Sequence, residues 1–82
     1  MATVLRLRGL RVVIYSNDHS PPHVHVIGPD AAATIALGAE GKHASVVINN
    51  GLSRTLLAAA LAAIDRNEAV LAQRWREIHG DL

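Results

Sequence analysis

The sequence predicts a small α+β fold: an antiparallel sheet of four to five strands over residues about 3–48, then two C-terminal helices over about 53–79, packed on one face of the sheet. Three observations predict it. Apolar and polar residues alternate with period two through most of the first half. Glycine, proline and asparagine punctuate that half at short intervals. After Ser53 the apolar residues recur at helical spacing instead.

The stretch TVLRLRGLRVVIY reads as a hairpin. Leu5 and Leu7 alternate with Arg6 and Arg8, Gly9-Leu10 supplies the turn, and Val12 and Ile14 alternate with Arg11, Val13 and Tyr15. Asn17 to Pro22 forms a loop. HVHVIG is a third strand, closed by Gly28-Pro29-Asp30. AAATIALG is a fourth, although alanine favours helix, and HASVVINNG a fifth, reached through a turn from Gly38 to Lys42. Asn49-Asn50-Gly51 tolerates positive φ and lets the chain turn sharply. Ser53 is an N-cap for the first helix, whose apolar stripe is Leu57, Leu61 and Ile64 beside Leu56 and Ala60. The polar run Asp65 to Glu68 breaks the helix, with Asn67 as a second N-cap. Leu71, Trp75 and Ile78 mark the second apolar stripe. His79 suits a helix C-terminus and Gly80 suits the position after it.

At 82 residues the chain is expected to be one domain. Half of it is hydrophobic, yet it has one Tyr, one Trp and no Phe, so the core must be built from small aliphatics. A core that thin favours association, including a homodimer. The net charge of +1 gives no global argument for nucleic acid, so only a local patch would serve. The absence of cysteine excludes disulfides and thiolate metal sites. No apolar run is long enough to span a bilayer and the N-terminus lacks the apolar core of a signal peptide, so a cytoplasmic location with no membrane partner is expected.

The chemistry concentrates in YSNDHSPPHVHV, residues 15–26. Side chains alternate across a strand. If Leu5, Leu7, Val12, Ile14, Val24, Val26, Ile35 and Leu37 face the helices, then Arg6, Arg8, Arg11, Tyr15, His23, His25 and Thr34 face away together. Pro21 and Pro22 stiffen the entry to the third strand and hold Asp18 and His19 near His23 and His25. Three chemistries fit. A zinc ion takes histidines at i and i+2 on one strand face, with His19 and Asp18 completing a tetrahedral shell beside His23 and His25. Alternatively, His19, His23 and His25 act as acid and base on a phosphodiester, while Arg6, Arg8, Arg11 and Tyr15 hold phosphate or nucleic acid. The third option is an interface rim. Plainer roles stand beside these: a solvated histidine pair, an Asx-turn at Asp18, and arginines that deter edge-to-edge aggregation. Trp75 is expected to anchor the second helix in the core, with His79 over it.

TVLRLRGLRVVIYSNDHSPPHVHV, with GLSRTLL and the closing RWREIHG, resembles a family of small bacterial proteins. Its signature is Tyr-Ser-Asn-(Asp/Glu)-His-x-Pro-Pro-His-Val-His, and the family is catalogued as a domain of unknown function. On this chain the signature falls on Tyr15, Ser16, Asn17, Asp18, His19, Pro21, Pro22, His23 and His25. From Ala31 to Lys42 alanines replace residues that are more polar or aromatic in many relatives. Members look like toxin components of bacterial toxin–antitoxin pairs, often encoded beside a second small protein. The resemblance therefore implies a cytoplasmic toxin with a cognate antitoxin partner, acting on RNA or translation. The other reading of the residues is a non-enzymatic interaction or regulatory module whose histidine loop is structural. The histidine-triad nucleotide hydrolases are excluded, because Ile27 stands where a third alternating histidine is required.

Overall fold

The computed structural model describes residues 2–38 and 42–80, so the turn expected from Gly38 to Lys42 falls partly outside them. The strands are β1 (Ala2–Leu7), β2 (Leu10–Ile14), β3 (His23–Ile27), β4 (Ala32–Ala36) and β5 (Ser45–Asn50); the helices are α1 (Arg54–Arg66) and α2 (Glu68–His79). Every neighbouring pair of strands is antiparallel and the sheet order is β1-β2-β3-β4-β5, a meander with β3 at its centre. The expected α+β architecture is the one observed.

The first hairpin closes on Arg8 and Gly9, at φ 46 and 77. Positive φ at both central positions is the mark of the type I′ turn, which matches strand twist; glycine supplies it freely and arginine tolerates it at some strain. The turn thus lies one residue earlier than Gly9-Leu10. Leu10 joins β2 and the core, and Arg8 leaves the strand face for the turn. At the other end of the sheet, Gly51 turns the chain at φ 97, clasped by Asn49, whose side chain accepts from the Leu52 amide and donates to the Leu52 carbonyl.

One face of the sheet carries the core. Leu10, Val12, Ile14, Val24, Val26, Ala33 and Ile35 pack against Ala60, Ile64, Leu71 and Trp75 of the helices, with Leu52 closing the end. Leu5, Leu7 and Leu37 lie partly buried around it, as the alternation predicts. Ser53 caps α1 by accepting from the Leu56 amide. Asn67 separates the helices but does not cap α2 with its side chain, which instead donates back to the Ala63 carbonyl. Gly80 ends α2 at φ 82. No helix of the described residues is long and apolar enough to cross a membrane.

Both edge strands are irregular. The register slips between Thr3 and Leu5 in β1, leaving Val4 unpaired with β2, and Val47 is the extra residue in β5, between partners of Thr34 and Ile35. Bulges of this kind twist an edge away from further pairing. Even so, Val46, Val47 and Ile48 remain 40%, 58% and 52% exposed.

Candidate functional site

Register decides which residues meet on the face opposite the helices. One row across that face runs Thr3, Val13, His25, Thr34, Ile48; the next runs Arg6, Arg11, Ile27, Ala32, Asn50. Arg11 is thus diagonal to His25 on adjacent strands, a Cα separation of about 7–8 Å that a long side chain spans. Val13, grouped by alternation with the polar set, is fully buried in spite of facing away from the helices.

The loop between β2 and β3 folds back over this row. The Asp18 amide donates to the Tyr15 carbonyl, and the Tyr15 amide donates to Asp18 Oδ2, a reciprocal pair that closes a tight turn. That turn aims the Asp18 carboxylate at β3. His25 Nε2 lies 3.1 Å from each carboxylate oxygen, and His23 Nε2 lies 3.5 Å from Oδ1. The loop includes a cis peptide bond at Ser20–Pro21. On the far side of the His23 ring, Nδ1 lies 2.9 Å from the Pro21 carbonyl. A carbonyl oxygen only accepts, so His23 Nδ1 carries the hydrogen and donates it. In the neutral ring this leaves the Nε2 lone pair directed at the cluster.

The three side chains are sheltered and still open to solvent: Asp18 is 12% exposed, His23 18% and His25 23%. Burial alone would raise the Asp18 carboxyl. The hydrogen bonds from His25 and the Tyr15 amide, with the charges of His25 and His23, outweigh burial and hold it below the usual carboxylate range. A ligand atom from each of Asp18, His23 and His25 lies within 4.8 Å of the other two. His19, also expected among these ligands, is exposed and stands outside that group. It lines a neighbouring cleft of about 280 Å³ with Ser20, Pro21, His23, Thr34, Ala36 and Val47.

Tyr15 sits beside the cluster, its ring centroid 4.8 Å from that of His25. The arginines divide. Arg6 and Arg11 are cross-strand partners on the face that carries His25, whereas Arg8 sits in the hairpin turn; Arg6 and Arg8 also border a groove of about 410 Å³ against α1, where Arg66 joins them. The sequence grouped all three with the histidines; the position of the hairpin turn separates Arg8 from them.

A chain of rings links the cluster to the core. His23 and His25 are 5.1 Å apart between centroids, His23 and Trp75 5.2 Å, and Trp75 and His79 3.9 Å in a stacked arrangement. As the first residue of β3, His23 lies at the end of the sheet, where it meets the helical layer as well as its strand neighbour. His79 does more than lie over Trp75: its Nε2 is 3.0 Å from the Tyr15 carbonyl and its Nδ1 3.1 Å from that of Trp75. Sequence reasoning placed His79 at the helix end and missed its tie to the loop, because that contact depends on how α2 docks. His43 pairs with Asp65 of α1 at 3.2 Å, away from the cluster.

No curated protein and no solved structure matches the chain. A family model described as a domain of unknown function, DUF4160, matches residues 9–76, a span that includes the Asp18–His23–His25 cluster, the cleft beside it and most of both helices, and the chain belongs to that family.

Proposed function

We propose that the protein is the toxin component of a bacterial toxin–antitoxin pair and acts on a phosphodiester of RNA through the Asp18–His23–His25 cluster. The observation that carries this reading is the convergence of one carboxylate and two imidazoles on the sheet face that the helices leave uncovered. Asp18 orients His25, the Pro21 carbonyl orients His23, and Arg11 is near enough to hold a phosphate oxygen beside them. Arg6, Arg8 and Arg66 offer a second phosphate contact further along the chain of a nucleic acid. The cleft lined by His19 and Val47 receives the group next to the scissile bond. The resemblance of the YSNDHSPPHVHV signature to toxin components supports the biological role.

The test is induction of the wild-type chain and of a His23→Ala/His25→Ala variant in a bacterium lacking any cognate partner. Growth arrest by the wild type alone is expected. If both are harmless although folded, the toxin reading is lost; if both arrest growth equally, the histidines are not its centre. RNA binding by Arg11→Ala should show a salt slope lower by about 1, because one fewer counterion is released.

A second reading is favoured by β5. Among the described residues its outer edge is unpaired, and Val46, Val47 and Ile48 are exposed along it. A strand of the cognate partner, or of a second copy in a homodimer, would satisfy its backbone groups and cover those side chains. In this reading the protein is a non-enzymatic interaction module, and its histidine loop is structural.

A further inference from the structure

We propose that Asp18, His23 and His25 bind one divalent transition-metal ion of the zinc class, held by a carboxylate oxygen and the Nε2 atoms of both imidazoles, with a fourth position left open. The proposal concerns the cluster used above but does not depend on toxicity or on RNA.

The distances fit. A tetrahedral centre with bonds of about 2.0–2.1 Å sets its ligand atoms about 3.3–3.4 Å apart. The carboxylate stands 3.1 Å from His25 Nε2 and 3.5 Å from His23 Nε2, and all three ligand atoms lie within 4.8 Å of one another. Two edges of the tetrahedron are therefore already close to length, and the imidazole–imidazole edge lies within 4.8 Å. The supporting contacts fit as well. A metal-bound histidine characteristically donates its other nitrogen to a carbonyl or carboxylate, and His23 does so to Pro21. The ligating carboxylate is itself fixed by the Tyr15 amide. On binding, the ion replaces the hydrogen that His25 Nε2 donates to Asp18: a neutral ring then carries its one N–H on Nδ1, and a protonated ring releases that proton to solvent.

The donor set selects the metal. Two imidazoles and one carboxylate suit zinc and its neighbours, whereas magnesium and calcium take oxygen ligands. Three protein ligands with one open position are the arrangement of catalytic rather than structural zinc sites. His23 also borders the cleft that holds His19, Thr34 and Val47, which gives water or a ligand access to that position. His19 lines the cleft and is not a ligand.

The test uses the untagged full chain, stripped with a chelator and titrated with zinc chloride or magnesium chloride. Trp75, the one tryptophan, has its ring 5.2 Å from that of His23 and reports binding by fluorescence. Calorimetry should give one zinc per chain and no magnesium binding. Asp18→Asn and His25→Gln should each weaken zinc at least tenfold, and His43→Gln should not. Where a variant fails to fold, histidine nitrogen resonances of the wild type decide: zinc should move Nε2 of His23 and His25 and leave His19 and His43 in place. No saturable zinc binding, or binding that leaves His23 and His25 unmoved, overturns the proposal. Zinc binding without growth arrest upholds the site and removes the toxin reading; growth arrest without zinc binding does the reverse.

Discussion

Asp18 is the residue on which the loop and both histidines converge, so replacing it tests the site at its centre. Its carboxylate accepts from the Tyr15 amide and from His25 and is 12% exposed. A hydrogen bond to a charged group contributes about 1.5–3 kcal/mol. Asp18→Ala removes both acceptor roles and leaves the amide and the imidazole unpaired, so it should lower stability by roughly 3 kcal/mol, allowing for the partial exposure. Asp18→Asn keeps one carbonyl oxygen as acceptor, and should lower it by roughly half that amount. For a chain of this size 1 kcal/mol moves Tm by about 4–8 °C, so the alanine variant should melt on the order of 15 °C lower. The pH dependence has a definite sign. The folded carboxyl is held below its ordinary range, so its contribution is present in full above that range and is lost as pH falls through it toward the folded value. The gap between wild type and Asp18→Asn should therefore close as pH falls below about 4. Urea denaturation across pH, in chelator to keep metal out, measures it. Equal stability of wild type and Asp18→Ala at neutral pH, or a gap that widens as pH falls below about 4, would refute the reasoning.

Two further outcomes follow from the packing. Trp75 is 2% exposed, and its indole N–H has no hydrogen-bond partner among the described residues. Trp75→Ala should lower stability by about 3–5 kcal/mol, while Trp75→Phe should lower it by much less, because removing an unsatisfied donor offsets part of the lost contact; urea denaturation compares the two. Ile48→Lys on the exposed edge should change stability by no more than about 0.5 kcal/mol. If β5 is the docking edge, the same change should abolish self-association or capture of the cognate partner, read by light scattering or by pull-down with that partner.

Parity made most of the site legible. His23 and His25 are two apart on a strand whose intervening residues are strongly apolar, so Val24 and Val26 entering the core fixed the histidines on the other side. The double proline and the short loop already place Asp18 close to them in the sequence. Arg8 failed for a local reason. Arg-Gly-Leu offers two neighbouring positions for a two-residue turn, and alternation alone does not choose between them; burial of Leu10 does. Val13 shows the limit of period two, which separates faces without saying whether the second face is wet: it is fully buried on the side that carries the histidines. His79 was unreadable for a different reason. Its role rests on a contact with Tyr15 across nearly the whole chain, and local spacing carries no information about such a pair. The strand order, likewise, depends on which neighbours bury each other's apolar faces, a global property of the chain.

The helical layer therefore does two things at once. It covers the aliphatic face, and it fixes both ends of the loop that builds the site. At the start of the loop His79 holds the Tyr15 carbonyl; at its end Trp75 lies against the His23 ring. Between these anchors, the Asp18–Tyr15 turn and the Pro21–His23 contact remove most of the remaining freedom. A loop tied in this way has little conformational entropy left to lose when a ligand binds, which is the physical content of preorganisation. Had the loop been tied only to its own strands, the spacing of Asp18 from the imidazoles would vary with every loop fluctuation. Because α2 supplies both anchors, the separation of the three polar groups is set by core packing, and damage to the docking of α2 should reach the cluster even where no cluster residue is changed.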